Sequence, residues 1–151
     1  MQNVIVSDTS CLILFYKIGE LELLHKVFGR IIITEAVAKE FKKLIPHWID
    51  IINPTTNLHI ELQGFLGAGE ATSISLAKEF KEALLIIDES KGRKVAKELG
   101  IAITGSLGVL LAAKNKDIIS SLKPIIQRIS ATDFRFSEDL IKTVLQLAKE
   151  D

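Results

Sequence analysis

Short β-branched runs, set apart by longer stretches of helical period, recur along this sequence and leave few folds open to it. Val4-Ile5-Val6, Ile31-Ile32-Ile33, Leu84-Leu85-Ile86-Ile87 and Ile101-Ala102-Ile103 are apolar without alternation. A strand with one wet face alternates apolar and polar residues; a continuously apolar one is covered on both faces. Such strands, each followed by a helix, predict an α/β fold. The expectation is a three-layer α/β/α sandwich with a central parallel sheet of four to five strands, Trp48 to Ile52 being the candidate for the fifth. Right-handed crossovers then bring every strand's C-terminal end to one edge, where such folds bind their ligands.

Capping residues and glycines mark the helices. Ser10 is expected to cap Cys11 to Tyr16, and Glu20 to Val27 follows Gly19. Thr34 caps a helix to about Leu44, with Val37, Phe41 and Leu44 as its buried stripe and Pro46 beyond its end. Further helices are expected from Glu70 to about Lys81, from the Ser90 cap to Leu99 with Gly100 at C′, and from the Ser106 cap to about Asn115. Two more run from Ile118 to about Ile129 and from Ser137 to Lys149. On the last, Leu140, Ile141, Val144, Leu145 and Ala148 form an apolar stripe, for core packing or for a partner. Asn53-Pro54-Thr55-Thr56-Asn57 and the glycines at 64, 67 and 69 read as loops too short to link domains. One domain over 1–151 is therefore expected.

Hydrophobic residues make up 48% of the chain, enough for a sizeable core, and nineteen basic residues balance nineteen acidic ones. That balance argues against a protein that coats nucleic acid through a broad basic surface. It leaves room for a locally acidic pocket. Cys11 is the one cysteine, so no internal disulfide forms. Without a basic segment leading into an apolar one, or an apolar run near ~20 residues, neither a signal peptide nor a membrane span is expected. The expected location is cytoplasmic.

Within this framework four carboxylates stand out. Asp8 directly follows the first strand, and Asp88, with Glu89 beside it, follows Leu84 to Ile87. Both emerge at the functional edge, although each is also a capping or turn residue by type. Glu70 opens a helix, where the dipole favours an acid by ~0.3–1 kcal/mol. It shares a face with Ser73, Ile74 and Ala77, which would aim it over the same edge. Glu40 lies on the flank of its helix, about 60° from Val37 at ~100° per residue; a solvated position is the plain alternative. Clustered like charges raise one another's pKa values, and a divalent cation relieves them. All-oxygen ligation suits Mg²⁺ or Mn²⁺ rather than zinc. No His or Cys cluster competes, since His25, His47 and His59 are scattered. A cation held this way can activate and orient water against a phosphodiester.

These residues resemble the PIN-domain family. Ser7-Asp8-Thr9-Ser10, Val37-Ala38-Lys39-Glu40-Phe41, Gly69-Glu70-Ala71 and Ile87-Asp88-Glu89 carry the likeness, in order and spacing, between about residues 3 and 115. Through Gly67-Ala68-Gly69-Glu70-Ala71 and Gly92-Arg93-Lys94-Val95-Ala96 the chain is similar to a PIN-like branch close to VapC-type toxins. The resemblance implies a hydrolase: a Mg²⁺- or Mn²⁺-dependent endoribonuclease with Asp8, Glu40, Glu70 and Asp88 as catalytic residues and metal ligands, Glu89 adding to the metal set. It also implies an RNA substrate, a toxin–antitoxin role with an antitoxin protein as partner, and a homodimer. The sequence departs from the family pattern at Glu70, where many relatives carry Asp, and at Ile86, where toxins often carry Thr or Ser.

Thr9, Ser10, Thr104 and Ser106 place hydroxyls near the same edge, as substrate contacts or, for Ser10 and Ser106, as helix caps. Among Lys91, Arg93, Lys94 and Lys97, Arg93 is the candidate for contact with the phosphate backbone. Gly67-Ala68-Gly69 is rejected as a phosphate loop because Glu70 would repel the anion. Two rivals remain. A receiver-like phospho-acceptor domain needs an acid pair at strand one, where only Asp8 stands, and Asp50 does not fit its pattern. A non-catalytic PIN-like module would bind nucleic acid or protein through the same fold.

Overall fold

In the computed structural model, which describes residues 4–151, the strands form one five-stranded parallel sheet in the order β3-β2-β1-β4-β5. They are β1 (Val4–Ser7), β2 (Ile31–Ile33), β3 (Ile49–Ile51), β4 (Ala83–Ile86) and β5 (Ala102–Thr104). Residues 1–3, which the single-domain expectation includes, lie outside the described residues. The helices are α1 (Thr9–Lys17), α2 (Leu21–Phe28), α3 (Glu35–Phe41), α4 (Leu58–Leu62), α5 (Ala68–Lys78), α6 (Ser90–Glu98), α7 (Ser106–Asn115), α8 (Lys123–Ser130) and α9 (Glu138–Leu147).

Pleating explains the continuously apolar strands. Ile5, Ile31, Ile33 and Ile86 point into one core, with α1, α2, α3, α7, α8 and α9. Val6, Ile32, Leu85 and Ile87 point into the other, beneath α4, α5 and α6. Alternate side chains thus serve opposite helical layers, and no face is left for polar residues. Each buried Ile or Leu contributes about 1.5–3 kcal/mol. Register sets the functional edge: Ser7 pairs with Ile86 and Ile86 with Thr104. The chain leaves all three strands at one level, so residues 8, 88 and 105–106 become neighbours.

Several expected boundaries are corrected. Asp8, not Ser10, caps α1, taking the Cys11 N–H at 3.4 Å on Oδ1. The third helix ends at Phe41, because Lys42 turns left-handed at φ 61°. Leu44, expected in the buried stripe with Val37 and Phe41, is consequently 94% exposed. Leu58–Leu62 forms a short helix in a stretch to which the sequence assigned no element. The eighth helix starts at Lys123 rather than Ile118, with Pro124 in its first turn. On α9 the stripe divides: Val144 and Ala148 are buried, Ile141 and Leu145 pack against the core, and Leu140 is exposed.

Glu150 fastens the C-terminal end. Its carboxylate, with a side chain only 9% exposed, accepts from Ser121 Oγ, from the Leu122 and Lys123 amides, and from Lys114 Nζ. It thereby caps α8 from the far end of the chain. Burial opposes ionisation here, but these donors outweigh it and hold the pKa down at about 2, against an ordinary 4.5. The folded pKa is depressed, so this stabilisation is complete above about pH 5 and drains away as pH falls towards 2. Glu150→Gln is expected to cost about 1–3 kcal/mol at neutral pH. The difference from the native chain should vanish in acid melts near pH 2.

Candidate active site

Asp8 lies at the centre of the edge. Its amide donates to Ile86 O at 3.0 Å, which carries the backbone across from β1 to β4. The side chain is 1% exposed, and its Oδ2 is buried without a hydrogen-bond partner among the described residues. Burial first, then the charge of Asp88 and smaller contributions from Glu70 and Glu40, push its pKa from 3.8 to about 8, against the opposing Cys11 amide. An uncompensated buried oxygen in the field of three other acids calls for a proton or a cation.

Asp88 occupies the N-terminus of α7. Its Oδ1 accepts from the Ser106 amide at 2.8 Å and its Oδ2 from Ser106 Oγ at 2.5 Å. Ser106 was expected to be the cap. Instead Gly105 holds that position without a side chain, and the strand-end aspartate supplies the carboxylate that the helix dipole favours. A Cβ on Gly105 would come within 2.6 Å of Asp88 Oδ1. Glycine is therefore what lets the acid reach the helix.

Glu40 is held from the other side, where Thr9 Oγ1 donates to its Oε1 at 2.5 Å. A Cβ on Gly69 would collide with that same oxygen and stand 2.7 Å from Thr9 Oγ1. The first turn of α5 thus lies directly on the Thr9–Glu40 pair. Two threonines set this approach: Thr34 caps α3 on the Val37 amide, and its hydroxyl lies 2.7 Å from Thr72 Oγ1 on α5. Thr72 in turn donates to Ala68 O.

Burial first, and then the neighbouring Glu89 carboxylate, raise the Glu70 pKa, against the Gly67 amide, which donates to Glu70 Oε1 at 3.4 Å. Burial also works against Glu89, but the amides of Gly92 and Lys91 outweigh it and lower its pKa. Glu89 itself caps α6, taking the Gly92 amide at 2.8 Å.

The remaining candidates fall into two groups. Arg93 donates through Nη1 to Ile87 O at 2.7 Å and lies beside Gly105. With Asp88 and Thr104 it lines a groove of about 380 Å³ that opens next to the carboxylates. The Thr104 hydroxyl is packed against Gly108 of α7. Ser10 sits in the first turn of α1 as a half-buried residue.

The edge therefore brings Asp8, Glu40, Glu70 and Asp88 within each other's field. Among the described residues it does not gather three of them, or any His, Cys, Asp or Glu trio, as ready ligands of an ion. Glu40, Glu70 and Asp88 accept from Thr9, from the Gly67 amide and from Ser106. Among the described residues Asp8 keeps the one buried carboxylate oxygen of the edge without a partner. Sequence reasoning passed over the glycines that make these approaches possible. Gly69 and Gly92 stand inside helical first turns, positions that disfavour glycine by about 1 kcal/mol, and that cost was the available signal.

A family model described as DUF3368: PIN domain matches residues 4–150. The chain belongs to the PIN-domain family. No match was found among curated proteins or among solved structures. PIN domains are commonly nucleases and generally use divalent metals. The carboxylate edge of this PIN domain, with the Asp8 oxygen left over, fits that chemistry by its oxygen-only donor set. No helix among the described residues is long and apolar enough to cross a membrane.

Proposed function

We propose that this PIN domain is a Mg²⁺- or Mn²⁺-dependent endoribonuclease. The observation that carries the reading is the buried, unpartnered Asp8 Oδ2 beside Asp88, Glu70 and Glu40. Asp8, Asp88, Glu40 and Glu70 would hold the cation, with Glu89 supporting Glu70. A divalent cation so held supplies charge for the phosphate oxygens and lowers the pKa of water at the site. The chain's own residues do the positioning. Ser106 fixes Asp88 through two donors, and Thr9 fixes Glu40. Arg93, anchored by one nitrogen on Ile87 O, keeps its remaining N–H groups for a phosphate. Ser10 stands in the same turn as Thr9 and offers a second hydroxyl to the substrate.

The direct test is cleavage. Purified protein with Mn²⁺ or Mg²⁺ should cut a panel of single-stranded and hairpin RNAs, and chelation should stop it. An intact panel under both metals contradicts the proposal. The internal bonding of Glu40, Glu70 and Asp88 favours one rival, a binding module in which Asp8 simply stays protonated. In that case RNA or protein is bound and never cut. The toxin role, an antitoxin partner and a homodimer extend the reading by resemblance to VapC-type toxins. A small reading frame adjacent to this one, whose product blocks cleavage on co-expression, is the expected sign.

A conservative change probes Glu70, where many relatives carry Asp. Glu70→Asp withdraws the carboxylate by one methylene and takes it from the Gly67 amide, now at 3.4 Å. Cleavage is expected to fall by about 10–100-fold, the usual effect of disturbing a ligand's support. Steady-state rates over a Mn²⁺ series check it.

A further inference from the structure

We propose that Phe65 is a stacking platform for one nucleobase of single-stranded RNA, with Lys91 and Lys94 taking the adjoining phosphates. The proposal deepens the nuclease reading by placing the substrate strand, but what it predicts is binding, which can be measured without cleavage.

Phe65 lies in the turn between α4 and α5, and its side chain is 50% exposed. The turn is rigidly built: the Phe65 amide donates to Leu62 O at 3.1 Å, as does the Leu66 amide at 2.9 Å. Lys91 Nζ reaches Phe65 O at 3.4 Å. Beside the ring is an open groove of about 450 Å³, floored by Leu62 and Val95 and flanked by Lys91, Lys94 and Glu98. The groove follows α6, whose first turn touches the carboxylate edge; a Cβ on Gly92 would stand 3.4 Å from Glu70 Oε2. Lys91, which lines the groove, is the chain neighbour of that glycine on α6.

The chemistry of this patch fits a nucleic acid strand. A cleft of four acids repels a phosphodiester, and a chain with nineteen basic and nineteen acidic residues offers no general attraction to offset that. Binding must come from local cations next to the cleft, and α6 supplies Lys91 and Lys94 there. An exposed aromatic face between lysines is the combination that holds unpaired bases, because every base has a π-face and every link a charge. Glu98, at the far end of α6, lines the same groove, and its charge disfavours phosphate there. An apolar anchor from a protein would use the Leu62–Val95 floor but gain nothing from the flanking lysines.

The experiment uses the Asp8→Asn full-length protein, so that substrate survives, with fluorescein-labelled single-stranded and blunt duplex RNA of mixed sequence followed by anisotropy. Phe65→Ala is expected to weaken single-strand binding about tenfold, the loss of one stacked base, and to leave duplex binding unchanged. Lys91→Gln with Lys94→Gln should reduce the slope of log Kd against log salt by about one to two. Phe65→Trp should keep the affinity, and its exposed indole should be quenched by unlabelled RNA; Trp48 is buried and gives a constant background. Equal single-strand affinity of Phe65→Ala and its parent, equal losses on single strand and duplex, or an indole signal that RNA fails to quench in Phe65→Trp overturns the proposal. No RNA binding at all also overturns it, including the outcome in which the groove takes a protein instead. RNA binding that follows this pattern in a native protein that never cleaves sinks the nuclease reading alone.

Discussion

Asp8→Asn is expected to lower RNA cleavage by about 10³-fold or more while leaving the protein folded. In metal-free buffer near pH 8 the variant should also be more stable than the native chain. The first half follows from position. Asp8 offers the one buried carboxylate oxygen that the edge leaves unpaired among the described residues. Losing its charge in a site of low dielectric removes stabilisation on the scale of ~4 kcal/mol. The second half follows from linkage. The folded pKa is raised to about 8 from 3.8. The folded state therefore holds its proton where the unfolded chain has released it. The stabilisation is complete below about pH 4 and is lost as pH rises through 8. The full shift corresponds to at most about 6 kcal/mol. Asn carries no such liability, so its melting temperature should stay flat over the window in which the native chain declines. Melting curves at pH 5 and pH 8 in EDTA, beside a cleavage assay, check both halves. A native chain equally stable at the two pH values removes the electrostatic argument.

Gly69→Ala is expected to lower cleavage by about 10²-fold, whereas Gly67→Ala, two residues away, should leave it within a factor of about two. The contrast is steric. A Cβ at 69 collides with Glu40 Oε1 and comes within 2.7 Å of Thr9 Oγ1, both already drawn together by a short hydrogen bond. Either Glu40 leaves Thr9 or the start of α5 lifts, and Glu70 moves with it. Forced overpacking of this kind costs about 1–3 kcal/mol. A Cβ at 67 meets only Glu70 Oε1, at 3.5 Å, an ordinary contact. Rates and melting temperatures for both variants decide the matter. Equal activity in the two would show that the Thr9–Glu40 pair plays no part in the chemistry.

How far the sequence foretold this arrangement depends on which forces act locally. Continuous apolar strands such as Ile31-Ile32-Ile33 announced a sheet covered on both sides, because pleating assigns alternate residues to opposite layers. Asp8 and Asp88 could be placed at one edge from strand polarity alone. What could not be read was the destination of each oxygen. Ser10 and Ser106 are capping types by composition, yet the aspartates one strand-end away displaced them. Leu44 kept the helical period of Val37 and Phe41 but fell beyond a left-handed Lys42 that no periodicity foretells. Nothing in the local sequence singles out Glu150. Its partners Ser121, Leu122 and Lys114 lie some thirty positions earlier, and only the folded chain brings them together. The glycine at 69 carried a legible cost but not a legible reason, since the reason is a carboxylate from another element.

The most direct test of a carboxylate edge built to hold a cation is the thermal response to Mn²⁺ at pH 7.5, native chain against Asp8→Asn. At a hundredfold excess over Kd, binding to the folded state adds about 2.7 kcal/mol. For a chain of 151 residues that is a rise of roughly 5–10 °C. A cation-holding edge predicts that rise in the native protein and none in the variant; no rise in the native protein, or the same rise in both, contradicts it.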